Sequence, residues 1–156
     1  MNPKLLQYGM NLWPPFIGAG IKVEHIGKDY KTARVRLRMG LANRNIVGVH
    51  FGGSLFAMTD PFFMILVQHQ LGKDYVVWDR SAKIDFLKPG KGIVRAKFEI
   101  TDTQIEEILR AASQGEKVLR DFSVDINDAS GDVVARVVKT LYIRKKLTHT
   151  QRQQGV

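Results

Sequence analysis

Residues 45–62 read NIVGVHFGGSLFAMTDPF, a polar loop that passes through two glycines into a run of apolar side chains. From Leu55 to Leu71 the residues are apolar on nearly every side until Gln68, which is the composition of a helix enclosed by protein and not of one lying on a surface. Such a helix predicts a sheet wrapped around it. Ser54 is placed to cap its start, and Pro61 deletes one helical hydrogen bond and is expected to bend the axis. Immediately before the proline stands Asp60, the one acid in the run. A carboxylate in apolar surroundings is costly unless it is paired or used.

Working outward, residues 82–92 read AKIDFLKPGKG, the end of a strand running into a Pro-Gly turn. The spacing predicts strands over Tyr75–Leu87 and Gly92–Ile100, with Val94, Ala96, Phe98 and Ile100 on one face of the second. Upstream, Ile21–Ile26 and Ala33–Met39 alternate apolar and polar around a Gly27-Lys28-Asp29 turn, a hairpin signal. A short helix over Pro3–Leu12 is expected to stop at Trp13-Pro14-Pro15. Downstream, Thr103 and Glu106 suggest a capped helix ending near Gly115. Two last strands, Lys117–Asn127 and Val133–Arg144, flank an Ala129–Asp132 connection. The order of elements is that of an α+β fold, an antiparallel sheet curled around one helix. Residues 1–147 form a single domain in this reading and 148–156 a polar tail.

At 156 residues and 44% apolar composition, one core is the expectation. No stretch approaches the roughly 20 apolar residues of a membrane span, and the first residues carry no secretory signal pattern, so the expected location is the cytoplasm. The chain has no cysteine, which removes thiolate catalysis and zinc-thiolate sites, and its four histidines (His25, His50, His69, His149) lack metal-ligand spacing. The net charge of +9 favours an anionic partner. Arg34, Arg36 and Arg38 alternate with Val35, Leu37 and Met39, as on a solvated sheet face. Neither a basic recognition helix nor a cluster of strand aromatics is written into the sequence, which makes nucleic acid an unlikely partner.

These segments, together with LWPPFIGAGIKVE at 12–24, DYVVWDR at 74–80 and GDVVARVVKTLYIRKK at 131–146, resemble a hotdog-fold family classed as a domain of unknown function and related to PaaI-like acyl-CoA thioesterases. The resemblance covers nearly the whole chain. It implies a long central helix wrapped by sheet, a site at a subunit interface, and therefore a homodimer or a dimer of dimers. It also implies an acyl-CoA or another acyl thioester as substrate, with coenzyme A entering as part of that substrate and no separate cofactor or metal.

Thioester hydrolysis needs a polarised carbonyl oxygen and an activated attacking group. Gly52 and Gly53, at the head of the helix, are candidate N–H donors to that oxygen, and Asp60 is the candidate general base or nucleophile. Asp60 lies eight residues after Gly52, about two helical turns, so a second subunit is one way to bring them together. The resemblance places Asn45 where PaaI-like proteins keep an amide that orients substrate or water. Such proteins usually have His before the paired glycines, whereas Phe51 stands there and His50 one residue earlier. Ser54, Phe51, Arg80, Ser81, Lys88 and Lys91 complete the candidate substrate and CoA contacts, with the two lysines flanking the Pro89-Gly90 turn. Strict alternation would put Arg80 on one face with Val76, Trp78, Ala82, Ile84 and Phe86, which calls for a bulge or a bound anion. Trp78 and Phe86 are expected in the core. Acyl binding without turnover is the alternative within the fold. A hydratase-like reading, prompted by His50-Phe51, lacks its second acid.

Overall fold

A computed structural model of the chain describes residues 1–146; the expected tail, 148–156, lies outside the described residues. Six strands, β1 (Ile21–Ile26), β2 (Thr32–Arg38), β3 (Tyr75–Phe86), β4 (Ile93–Glu99), β5 (Val118–Asn127) and β6 (Val133–Lys145), form one antiparallel sheet in the order β1-β2-β4-β5-β6-β3. Five helices accompany it: α1 (Pro3–Asn11), α2 (Pro14–Ala19), α3 (Gly52–Ala57), α4 (Phe62–Leu71) and α5 (Asp102–Ala111). The sheet wraps the α3–α4 segment, giving the α+β hotdog arrangement that the sequence resembles. No helix among the described residues is long and apolar enough to cross a membrane.

The core follows from the apolar character of α4. Phe62 and Phe63 meet Phe98 of β4 at ring centroid distances of 4.9 and 5.1 Å, and Phe63 meets Phe122 of β5 at 5.0 Å. Val35, Leu37, Val94, Ala96, Val137 and Leu141 complete the inner face of the sheet and are fully buried. Their outward neighbours, Arg34, Arg36, Arg38, Arg95 and Lys97, lie on the other face as the alternation requires.

Three boundaries differ from those expected. The central helix is not continuous: Thr59 and Asp60 donate their N–H groups to Phe56 and Ala57, a tightened last turn, and the Thr59 hydroxyl donates to the Phe56 carbonyl at 2.8 Å. Pro61 has no N–H to carry the ladder on, so α4 restarts after it, its first bond running from Ile65 N–H to the Pro61 carbonyl. Helix α3 begins at Gly52 with Phe51 as its N-cap; Ser54 is inside the helix, and its backbone N–H, not its hydroxyl, bonds to Phe51. Helix α5 is capped by Thr101 with Gln104 in a reciprocal capping box, two residues before the expected Thr103–Glu106 pair.

The Trp13-Pro14-Pro15 segment ends α1 as expected but also starts α2. Pro14 and Pro15 occupy first-turn positions, where a missing N–H costs nothing, and this lets Phe16 be buried beneath Trp13 at a centroid distance of 5.2 Å. Gly20 stops α2 at φ +76°, and a Cβ there would lie 2.7 Å from Asn43 Nδ2. That Asn43 amide donates to Ala19 and Arg38 carbonyls and accepts from Gly40 N–H, tying α2 to the end of β2. Asn43 is thus a structural turn residue. Phe98 joins α4 to β4, and its replacement by alanine is expected to cost about 3–5 kcal/mol, read as a lowered urea midpoint at unchanged m-value.

Candidate functional site

The loop between β2 and α3 and the β3–β4 connection enclose a cleft of about 480 Å³ lined by Asn45, Val49, His50, Gly52, Leu55 and residues 86–90. Each polar group in it has been partly committed by the fold. Asn45 Oδ1 accepts from the N–H groups of Val47 and Val49, both at 3.1 Å, so the amide closes its own loop and keeps only its NH₂ for a ligand. His50 is 2% exposed, and its N–H bonds to Gly90 at 3.0 Å. Because a carbonyl oxygen only accepts, the 3.1 Å contact from His50 Nε2 to Gly92 assigns the proton to Nε2 and leaves Nδ1 as a buried acceptor with no protein partner. Burial holds this imidazole below its ordinary pKa, against the pull of the Gly92 carbonyl. A neutral ring with one free acceptor suits a ligand N–H or O–H.

The two glycines have separate reasons. A Cβ on Gly52 would lie 2.9 Å from Phe86 Cζ, so its lack of a side chain keeps the cleft open, and its N–H belongs to the first turn of α3, where donors have no intrahelical acceptor. A Cβ on Gly53 would lie 2.3 Å from the Phe51 ring. Gly53 therefore makes room for Phe51, and neither residue lines the cleft. Ser54 is buried within α3.

Asp60 does not line the cleft. It stands in the turn between α3 and α4 with its side chain 49% exposed, and Oδ1 is held by the Nζ of Lys139. Lys139 is 2% exposed on the inner face of β6, and its ammonium also reaches Asp79 Oδ2 at 3.1 Å. Lys139 pairs with Ala82 across the β3–β6 ladder, whereas Phe86 is the residue against Gly52. Four residues of strand at about 3.3 Å each put these two stations about 13 Å apart. Within one chain, the cleft donors and the acid are not brought together.

The β3–β6 register shifts between Asp79 and Ser81. This bulge resolves the Arg80 conflict: Arg80 is the extra residue, Asp79 turns inward beside Lys139, and the faces of the strand exchange, so that Val76 and Trp78 do not share a face with Ala82, Ile84 and Phe86. Arg80 and Ser81 are exposed and away from the cleft. Trp78 and Phe86 are 66% and 57% exposed, not core: β3 is an edge strand, and among the described residues no strand pairs with it beyond β6. Lys88 lines the cleft, but its ammonium is taken by Asp128 at 2.9 Å and Asp132 at 2.5 Å, which raise its pKa. Lys91 is exposed and makes no ion pair among the described residues.

Lys139 and Asp79 were not singled out from the sequence, although Val137, Lys139, Leu141 and Ile143 share one face by alternation. A lysine in that row needed a carboxylate partner. Burial pushes the Asp79 carboxyl above its ordinary range, Lys139 opposes this, and the neighbouring Asp60 charge adds to it.

Residues 3–143 match a family described as Domain of unknown function (DUF4442). No curated protein matches the chain significantly. Among solved structures, a Pseudomonas aeruginosa protein of unknown function described as a probable thioesterase is similar at TM-score 0.80 and 19% identity, covering 94% of this chain and 97% of that one. A Haemophilus influenzae thioesterase follows at 0.69 and 15%, covering 96% and 94%. A mutant of the phenylacetic acid degradation protein PaaI from Thermus thermophilus gives 0.58 and 20%, covering 83% and 98%. At these identities the likeness establishes the fold.

The raised Asp79 value has a stability consequence. Between the ordinary carboxylate value, about 4, and its own higher one, the folded state holds more proton than the unfolded, so stability falls as pH rises through that window. Asp79→Asn should lack this slope. Urea unfolding of both proteins from pH 4 upward is expected to show the variant gaining on the wild type with pH; a constant difference would mean that Asp79 titrates as a free carboxyl.

Proposed function

The chain belongs to the DUF4442 family, and on that premise we propose that it hydrolyses an acyl thioester, with acyl-CoA the substrate class and Asp60 the general base. The observation that carries this reading is the state of Asp60: one carboxylate oxygen is anchored by a buried ammonium while half of the side chain stays open to solvent. An anchored, accessible carboxylate at a break in a helix is suited to take a proton from water. In the proposed reaction, water oxygen adds to the thioester carbonyl carbon as Asp60 accepts the proton. The oxyanion is held by the Gly52 N–H with help from the Asn45 NH₂. Collapse breaks the C–S bond, and the leaving thiolate takes up the proton that Asp60 accepted, giving one carboxylic acid and one free thiol and restoring the Asp60 carboxylate. Leu55 and Phe86 offer an apolar wall for the acyl or pantetheine chain.

The separation of about 13 Å along β3 leads to the second part of the reading. We propose a homodimer in which the cleft of one subunit is completed by Asp60 of the other. Strand β3 supports this: it is 12 residues long, lies at the sheet edge, and among the described residues has one side unpaired while carrying exposed Trp78 and Phe86. A long edge of this kind ordinarily recruits another strand. Acyl binding without turnover is favoured by the same separation should the chain act alone. A hydratase-like role is less well supported, since His50 is hydrogen-bonded to a backbone carbonyl and not to a carboxylate.

The test is free-thiol release from short, medium, long and aromatic acyl-CoAs by wild type and Asp60→Asn. A loss of about 10²- to 10⁴-fold in the variant is expected for a general base. No turnover by either protein, with acyl-CoA still bound, would leave a binding protein. The dimer has its own check: turnover per chain should fall on dilution in step with dissociation followed by sedimentation, whereas activity persisting in the monomer would refute a site shared between subunits.

A further inference from the structure

Lys139 is the one acidic or basic side chain apart from His50 that the fold takes almost wholly out of water among the described residues. It has two counterions from separate elements: Asp60 in the turn between α3 and α4, and Asp79 at the β3 bulge. The other surroundings offer no competing charge. Strand β5 presents Phe122 opposite Lys139, and its nearest inward cation, Arg120, is engaged by Glu107 of α5 at 2.8 Å. Helix α4 reaches this region with Phe63, whose ring stacks on Phe122, and its only ionisable group, His69, lies in the last turn stacked on Tyr30. One ammonium is thus shared by two carboxylates.

That arrangement matters if Asp60 gains a proton. A buried ammonium whose only counterion has become a neutral acid is left uncompensated, and the cost opposes the proton transfer itself. A second carboxylate removes that cost, because the ammonium can transfer its interaction to Asp79 without leaving its place. We propose that Lys139 and Asp79 are positioning residues of the Asp60 site: Lys139 fixes the Asp60 carboxylate, and Asp79 is the reserve counterion that keeps Lys139 compensated while Asp60 holds a proton. The inference rests on the reading of Asp60 as the base. Asp79 itself touches no substrate. The bulge supports this assignment, since a regular β3 would turn Asp79 and the cleft-facing Phe86 to opposite faces of the sheet, and the register shift aims both inward.

The experiment combines kinetics with carboxyl ¹³C titration of Asp79. Asp79→Asn is expected to lower kcat by about 10- to 100-fold, the scale of one hydrogen bond to a charged group, at nearly unchanged KM, with partial rescue by Asp79→Glu. In the titration, the Asp79 midpoint should fall in Asp60→Asn, which removes a neighbouring negative charge, and rise in Lys139→Met, which removes the cation. If Lys139→Met does not fold, Asp60→Asn carries the titration alone. Wild-type kcat in Asp79→Asn, or an Asp79 midpoint that ignores the substitutions, overturns the proposal. Turnover surviving in Asp60→Asn is a different failure: it would remove Asp60 as the base, while the titration would still report whether the ammonium is shared.

Discussion

A helix that starts with six apolar residues in a row has to be surrounded there, and α4 is such a helix over Phe62–Val67. Phe62, Phe63, Leu66 and Val67 are all buried, and a sheet curled around them is the economical enclosure for one short apolar rod. Much of the molecule follows from that constraint. The sheet must be long enough to bend round the helix, so its strands reach 12 and 13 residues in β3 and β6. Its inner face must be largely apolar, so the basic residues other than Lys139 are driven to the loops or to the outer face. Glu24 there pairs with Arg95 at 3.2 Å, and Arg36 approaches it at 3.8 Å. Exposed pairs of this kind contribute little to stability, and the excess charge is a property of the surface and not of the core.

A curled sheet that does not close leaves two edges. One edge, β1, is partly covered by α1, whose Gln7 and Asn11 side chains bond to the β1 backbone. The other, β3, has no such cover among the described residues. The cleft lies along this uncovered side, between the loop before α3 and the end of β3. Enclosure of the helix and exposure of the cleft are therefore two results of the same topology. The bulge in β3 is where they meet, since it changes which side chains face the helix halfway along the strand.

The enclosed helix, the alternating strands and the α+β class were legible from the sequence because each is a periodic property of consecutive residues. Features that depend on contact between distant residues were not. Ser54 has the right chemistry for a cap, but the helix starts three residues before a Ser54 cap would allow, at Gly52, whose open Cα accommodates the Phe86 ring from another strand. Alternation correctly raised a conflict at Arg80 yet could not say where the register would slip, because a bulge is defined against its partner strand. It placed Trp78 and Phe86 on faces without revealing that both stay more than half exposed at the edge strand. Of the candidate residues, Asn45, His50, Gly52 and Lys88 were named from the sequence and line one cleft, though Lys88 is claimed by Asp128 and Asp132 from the β5–β6 turn, distant in sequence. Asp60 was found without its partners, which lie on two other strands.

Lys139 shows why a costly residue is informative. A buried ion pair seldom adds stability over an apolar pair of the same size, because desolvation takes back most of the attraction. Methionine at this position, with apolar residues in place of Asp60 and Asp79, would fill the space between Val137 and Leu141 and would relieve the fold of an ammonium and two carboxylates beside its core. Stability alone therefore gives no reason for a lysine at this position. Its presence is intelligible if the carboxylates are the elements in use and the ammonium is there to hold them: Asp60 must remain accessible and yet not wander, which an exposed acid in a turn would otherwise do. On that reading Asp79, drawn inward by a bulge, completes a charge arrangement whose cost to the fold would be met by its use at the proposed site.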